Sequence, residues 1–121
     1  VPWPPSVNTY CRSVAMGKRV NVVVSAEGRA YRAAIAAEVK RCWPGLTNPT
    51  QSRLAVYALA NPPDRRRRDL DNILKALLDG LTHGGVWGDD SQVDDLHIER
   101  GKVVANGQVT VVISILEGDV K

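Results

Sequence analysis

A chain of 121 residues with 16 Lys and Arg against 13 Asp and Glu carries a formal net charge of +3, too slight to define a polyanionic partner by itself. Its composition, 44% apolar and 24% charged, is that of one globular domain over 1–121 and excludes a disordered or fibrous chain. No apolar run is long enough to cross a membrane and no basic-then-apolar leader is present, so a protein with no membrane association is expected.

In chain order, PWPPS at 2–6 cannot be a regular helix or a central strand, because its prolines lack amide donors. Residues 7–19 are basic and poorly periodic and read as a loop, followed by a short extended NVVV at 21–24. Ser25 has the character of a helix N-cap, with Glu27 in the first turn. The helix carries Tyr31, Ala34, Ile35, Ala37, Val39 and Cys42 near helical spacing and stops at Pro44-Gly45. SRLAVYALA at 52–60 is apolar on both alternating faces, which predicts a strand covered on both sides.

Leu70, Ile73, Leu74, Leu77, Leu78 and Leu81 then form one stripe at helical spacing, closed by His83-Gly84-Gly85. An acidic loop around Trp87 leads to an alternating DLHIER at 95–100. Asn106-Gly107 is a strong two-residue hairpin signal before a last strand with Val109, Val111, Ile113 and Ile115 on one face. The predicted fold is α/β of the α+β kind: a small mixed sheet flanked by two main helices, with a C-terminal hairpin. Cys11 and Cys42 form no metal-binding pair and read as reduced thiols of a cytoplasmic protein. His83 and His97 stand in unrelated contexts and read as ordinary surface residues.

The candidate chemistry lies in RRRRDLDNILK at 65–75. Asp69 falls near the N-cap of the leucine helix and Asp71 in its first turn. Asp71, Lys75 and Asp79 make a ridge at i, i+4 and i+8. Read blandly, these are a cap and ordinary surface pairs. Four adjacent arginines shift that balance, because they repel one another and add nothing to a core. Some of Arg65, Arg66, Arg67 and Arg68 could hold phosphates, whose oxygens match paired guanidinium donors. Carboxylates beside a polyanion are unfavourable unless a cation lies between, and Mg²⁺ is the ion held by one or two carboxylates plus substrate phosphate. A third carboxylate would come from Asp89, Asp90, Asp94 or Asp95; spacing does not choose among them. No Gly-rich phosphate cradle and no convincing Ser or Cys nucleophile is present.

Four stretches, PWPPS at 2–6, VSAEGRAYR at 24–32, PDRRRRDLDNILKALLDGL at 63–81 and WGDDSQVDDL at 87–96, closely resemble the RusA family of Holliday junction resolvases. They cover most of the chain in the family's order. The resemblance implies a homodimeric, Mg²⁺-dependent endonuclease, with Mn²⁺ a substitute, that resolves a four-way DNA junction by paired nicks and leaves ligatable ends. It implies a bacterial cytoplasmic setting, phage- or prophage-encoded. The essential aspartates of the family fall on Asp69, Asp71 and Asp90, its lysine on Lys75, and the arginine before the first aspartate on Arg68. Asp79 matches a recurring aspartate of less defined role. Two rival readings remain open: a non-catalytic branched-DNA-binding module, and a less selective structure-specific nuclease.

Overall fold

The computed structural model describes residues 1–5, 11–16, 19–46 and 48–116, with 11–16 and 19–23 as backbone alone. A three-stranded mixed sheet carries two helices, and a two-stranded ribbon stands apart from it. The α+β class expected from the sequence holds.

The ribbon pairs β1 (Cys11–Met16) with β2 (Arg19–Val24) in antiparallel register, Cys11 opposite Val24 and Met16 opposite Arg19. This corrects the loop expected over 7–19; residues 7–10 and 17–18 lie outside the described residues. CRSVAM has little alternation of its own, and pairing with the valine-rich β2 makes it a strand. Helix α1 (Ala26–Cys42) starts as predicted: Ser25 is extended and its Oγ accepts the Gly28 N–H at 3.0 Å. Tyr31, Ile35 and Val39 are its buried face, and the Trp43 N–H closes the last turn on the Val39 carbonyl at 2.8 Å.

β3 (Leu54–Asn61) is the middle strand of the sheet, parallel to β4 (Val93–Arg100) and antiparallel to β5 (Gln108–Ile115). Leu54, Val56, Ala58 and Ala60 are buried on its inner face, whereas Ala55, Tyr57 and Leu59 on the other face are half-buried. Cover on both sides, as the sequence predicted, is therefore met on one side only within the described residues.

Parallel neighbours need a crossover, and residues 62–92 provide it. The leucine stripe begins with a 3-10 turn at Leu70–Ile73 and continues as α2 (Leu74–His83), burying Ile73, Ala76, Leu77 and Leu81. The two helices are in contact at Gly80, where an added Cβ would lie 2.5 Å from Ile35 Cδ1.

A turn forms at the predicted place: Asn106 and Gly107 have positive φ of 67° and 71°, and the Gly107 N–H closes it on the Val104 carbonyl at 2.8 Å. Its two arms straddle β3 instead of pairing with each other. The Gly101 N–H bonds to the Ala60 carbonyl at 2.8 Å and the Val104 N–H to that of Pro62 at 3.0 Å, so the first arm continues the β4 side. The chain then crosses the end of β3, and Gln108 pairs with Asn61 from the opposite edge. Pro2 bridges to Gln108 on the outer edge of β5 and brings Trp3 to this same end of the sheet.

Candidate functional site

The loop from Pro62 to Asp69 leaves the end of β3 with its backbone outside any helix or strand. Within it Arg65, Arg66 and Arg67 are exposed, and Arg68 is half-buried. Arg68 is held from three directions. Its Nη1 donates to Asp64 Oδ1 at 2.7 Å, its guanidinium lies 5.8 Å from the centre of the Trp3 ring, and its carbonyl accepts from Arg100 Nη2. Trp3 is a residue the sequence reading passed over. Its signal was present in the run of prolines around it, which fixes an otherwise unsupported tryptophan against the loop.

Asp69 follows with extended backbone, at φ −88° and ψ 136°, where the N-cap of the 3-10 turn falls. It is not used as a cap: its side chain accepts no amide, and the Asn72 N–H is satisfied by the Asp69 carbonyl at 3.2 Å. The Asp69 oxygens are exposed and beside a cleft of about 510 Å³ lined by Trp3, Arg67, Arg68, Asn72 and Ile73. Asp71 in the next turn is exposed too. Lys75, one helical pitch on, is exposed and has no carboxylate partner among the described residues. Asp79 does not continue the surface ridge. It accepts from Arg32 Nε of α1 at 2.9 Å and ties the two helices together.

Asp90 is held by a different device. Asp89 caps a 3-10 turn at Asp90–Gln92 reciprocally with Gln92, whose Oε1 accepts the N–H groups of Gly88 at 2.8 Å and Asp89 at 2.9 Å. Gln92 is buried, and its Nε2 donates to the carbonyls of Thr50 at 3.0 Å and Ser52 at 2.9 Å. The Ser91 hydroxyl donates to Asp89 Oδ2 at 2.7 Å and holds that carboxyl below its ordinary range. Trp87 is buried, with Nε1 donating to Thr82 Oγ1 at 2.6 Å, so the acidic tip is fixed from below as predicted. Gln92 was missed, although Asp89-Asp90-Ser91-Gln92 is legible as a capping box. Of the other acids of this segment, Asp94 is engaged by Arg53 Nε at 3.0 Å.

The chain therefore brings Asp69, Asp71 and the arginines together and leaves Asp90 elsewhere. Asp90 precedes Val93, which pairs with Leu54; Arg100, against which the arginine loop rests, pairs with Ala60. Six strand positions separate those pairs, roughly 20 Å. Consistent with this, no three carboxylate, histidine or cysteine side chains of one chain gather closely enough to hold an ion among the described residues. Asp69 and Asp71 are two exposed carboxylates at the head of the leucine helix, the number by which a hard divalent ion is usually held when water and phosphate fill its other positions.

A small α+β domain with exposed carboxylates beside an arginine-rich loop suits an enzyme that cuts a nucleic acid backbone, though the fold alone does not assign that activity. Residues 2–115 match the family model described as Endodeoxyribonuclease RusA, and the chain belongs to that family. It is 41% identical over 117 residues to the crossover junction endodeoxyribonuclease of Enterobacteria phage HK97, covering 97% of this chain and 92% of that one. The enzyme of the same description from Escherichia coli strain K12 is 41% identical over 116 residues, covering 94% of this chain and 90% of that one. That of Enterobacteria phage 82 is 40% identical over the same span.

Proposed function

We propose that this chain resolves four-way DNA junctions by paired symmetric nicks, as a Mg²⁺-dependent homodimer in which Mn²⁺ can replace the ion. The observation that carries this reading is Asp69. It occupies a helix N-cap position without capping, and its exposed carboxylate, with that of Asp71, stands at the end of an arginine loop. The relatives' description as crossover junction endodeoxyribonucleases supports the substrate. The setting that fits phage and bacterial relatives is the cytoplasm of a bacterial cell; no described helix is long and apolar enough to cross a membrane.

Asp69 and Asp71 would hold the ion, which when bound supplies Lewis acidity and lowers the pKa of a coordinated water. Lys75 stabilises negative charge developing on the scissile phosphate from one pitch along the same helix. Arg65, Arg66 and Arg67 grip neighbouring phosphates and fix the register of the strand without reading its sequence. Arg68 is placed to set the backbone of Asp69 as much as to meet DNA, because its guanidinium is already engaged by Asp64 and Trp3.

Asp90 completes this account only in a pair. Asp90 precedes Val93 while the arginine loop rests on Arg100, strand positions roughly 20 Å apart, and within one chain its carboxylate forms no ligand group with those of Asp69 and Asp71 among the described residues. A two-fold arrangement would bring Asp90 of the partner subunit to this chain's Asp69 and Asp71, and the reverse, since contacts across such an axis are reciprocal. Two such centres would also make the two cuts that a junction needs.

A mobile four-way junction, incubated with protein and Mg²⁺ and resolved on a gel, tests the reading. Symmetric paired nicks by the wild type, with D71N binding the junction and leaving it uncut, are the expected result. Binding with no nicks across pH and divalent ions would favour a branched-DNA-binding module. Equal cutting of flaps and forks would favour a less selective nuclease.

A further inference from the structure

The arginine run has an acid at each end, and the one at its head is already occupied. Arg68 Nη1 and the Arg66 backbone N–H both donate to Asp64 Oδ1, at 2.7 Å and 2.9 Å, while Arg66 Nε lies 3.7 Å from Oδ2. One backbone amide and two guanidinium groups converging on two oxygens is a donor set suited to a phosphate. Asp64 is half-buried and Arg66 exposed, so this donor set lies at the surface. Arg65 and Arg67 face solvent with no carboxylate partner among the described residues.

We propose that Asp64 is an internal occupant of a DNA phosphate site: the free protein fills the Arg66–Arg68 site with its own carboxylate, and a backbone phosphate displaces it on binding. The inference deepens the junction-resolving reading and rests on the arginine loop meeting DNA. The exchange is chemically balanced, because a phosphodiester and a carboxylate each carry one negative charge. Surface ion pairs are weakly held, so displacement is feasible, and release of counterions from DNA favours it. The cost falls on every DNA that uses the site, so Asp64 weakens binding in general and leaves the choice between duplex and junction to other groups.

Asp64→Asn separates this role from a structural one, because its amide oxygen can still accept the Arg66 N–H while the charge is gone. Binding of a duplex and of a four-way junction would be measured over a range of salt concentrations. D64N is expected to bind duplex roughly fivefold or more tightly near 0.1 M salt, with the slope of log affinity against log salt steeper by about 1. Unchanged or weaker duplex binding with an unchanged slope would overturn the proposal. Asp64→Ser, which also keeps an oxygen for the Arg66 amide, takes the place of D64N if a thermal melt shows the latter unfolded. Arg65→Ala and Arg67→Ala run alongside: if they flatten the slope while the Asp64 variants do nothing, only the occupancy idea fails. If no variant alters the slope, the loop does not meet DNA and the junction-binding reading fails at this surface.

Discussion

Asp64 and Asp69 bracket the arginines, and their environments differ in kind. The Arg68 guanidinium first, and then the Arg66 amide, pull the Asp64 carboxyl from 3.8 down to about 2. A depressed folded-state pKa contributes stability that is fully present above the unfolded value and is lost as pH falls through the folded one. The stability gap between wild type and D64N should therefore be constant near neutrality and close between about pH 3.8 and pH 2; urea unfolding across that range checks it. A gap that persists at pH 2 would mean the Asp64–Arg68 pair does not form in solution. At Asp71, Asn substitution should lower the nicking rate about a thousandfold or more with junction affinity kept or raised, since a carboxylate beside phosphate is removed. Single-turnover cleavage and a binding titration read the two effects separately. Asp71 and Lys75 could be set one helical pitch apart from their i, i+4 spacing, whereas the roles expected of Asp69, Asp71 and Lys75 came from the family resemblance. The Asp64–Arg68 contact was not legible, since it joins residues four apart in an extended loop, where spacing implies no shared face.

The two helices depend on one glycine. Alanine at Gly80 would gain about 0.8–1 kcal/mol of helix propensity, but its Cβ would fall 2.5 Å from Ile35 Cδ1 inside a fully buried contact. Overpacking of this kind costs about 1–3 kcal/mol, so crowding wins and G80A should be destabilised by up to about 2 kcal/mol in chemical unfolding. A stabilised G80A would show that the helices sit farther apart than the structure has them. Asp79, one residue before, makes its ion pair with Arg32 across that same contact, and D79A should lose stability while keeping measurable nicking activity. Both helices and β3 could be read from periodicity alone, as could the Ser25 cap. The ribbon could not, because β1 owes its state to its partner strand. Nor could the crossing of β3 by the Asn106-Gly107 turn: the dipeptide specifies a turn, and which strands its arms join is decided by backbone groups at Ala60 and Pro62.

As a whole, the described residues leave apolar surface uncovered. Both helices serve the inner face of the sheet, while Tyr57 and Leu59 on the other face are half-buried and Val112 and Ile115 of β5 are exposed. A second copy would cover such surface, and sedimentation at low micromolar concentration without DNA should give the mass of a dimer. A monomer mass would restrict pairing to the junction itself. The central claim, that two copies share each cutting centre, is tested most directly by mixing two inactive variants. In a mixed dimer of D71N and D90N, one centre would combine both substitutions, while the other would join intact Asp69 and Asp71 of one subunit to intact Asp90 of its partner. Co-refolded D71N and D90N are predicted to regain nicking of one junction strand when each alone cuts neither, with activity rising to a maximum near equal amounts of the two. If the mixture stays as inactive as its components while exchange of subunits is demonstrated, each centre is built from a single chain and the account is contradicted.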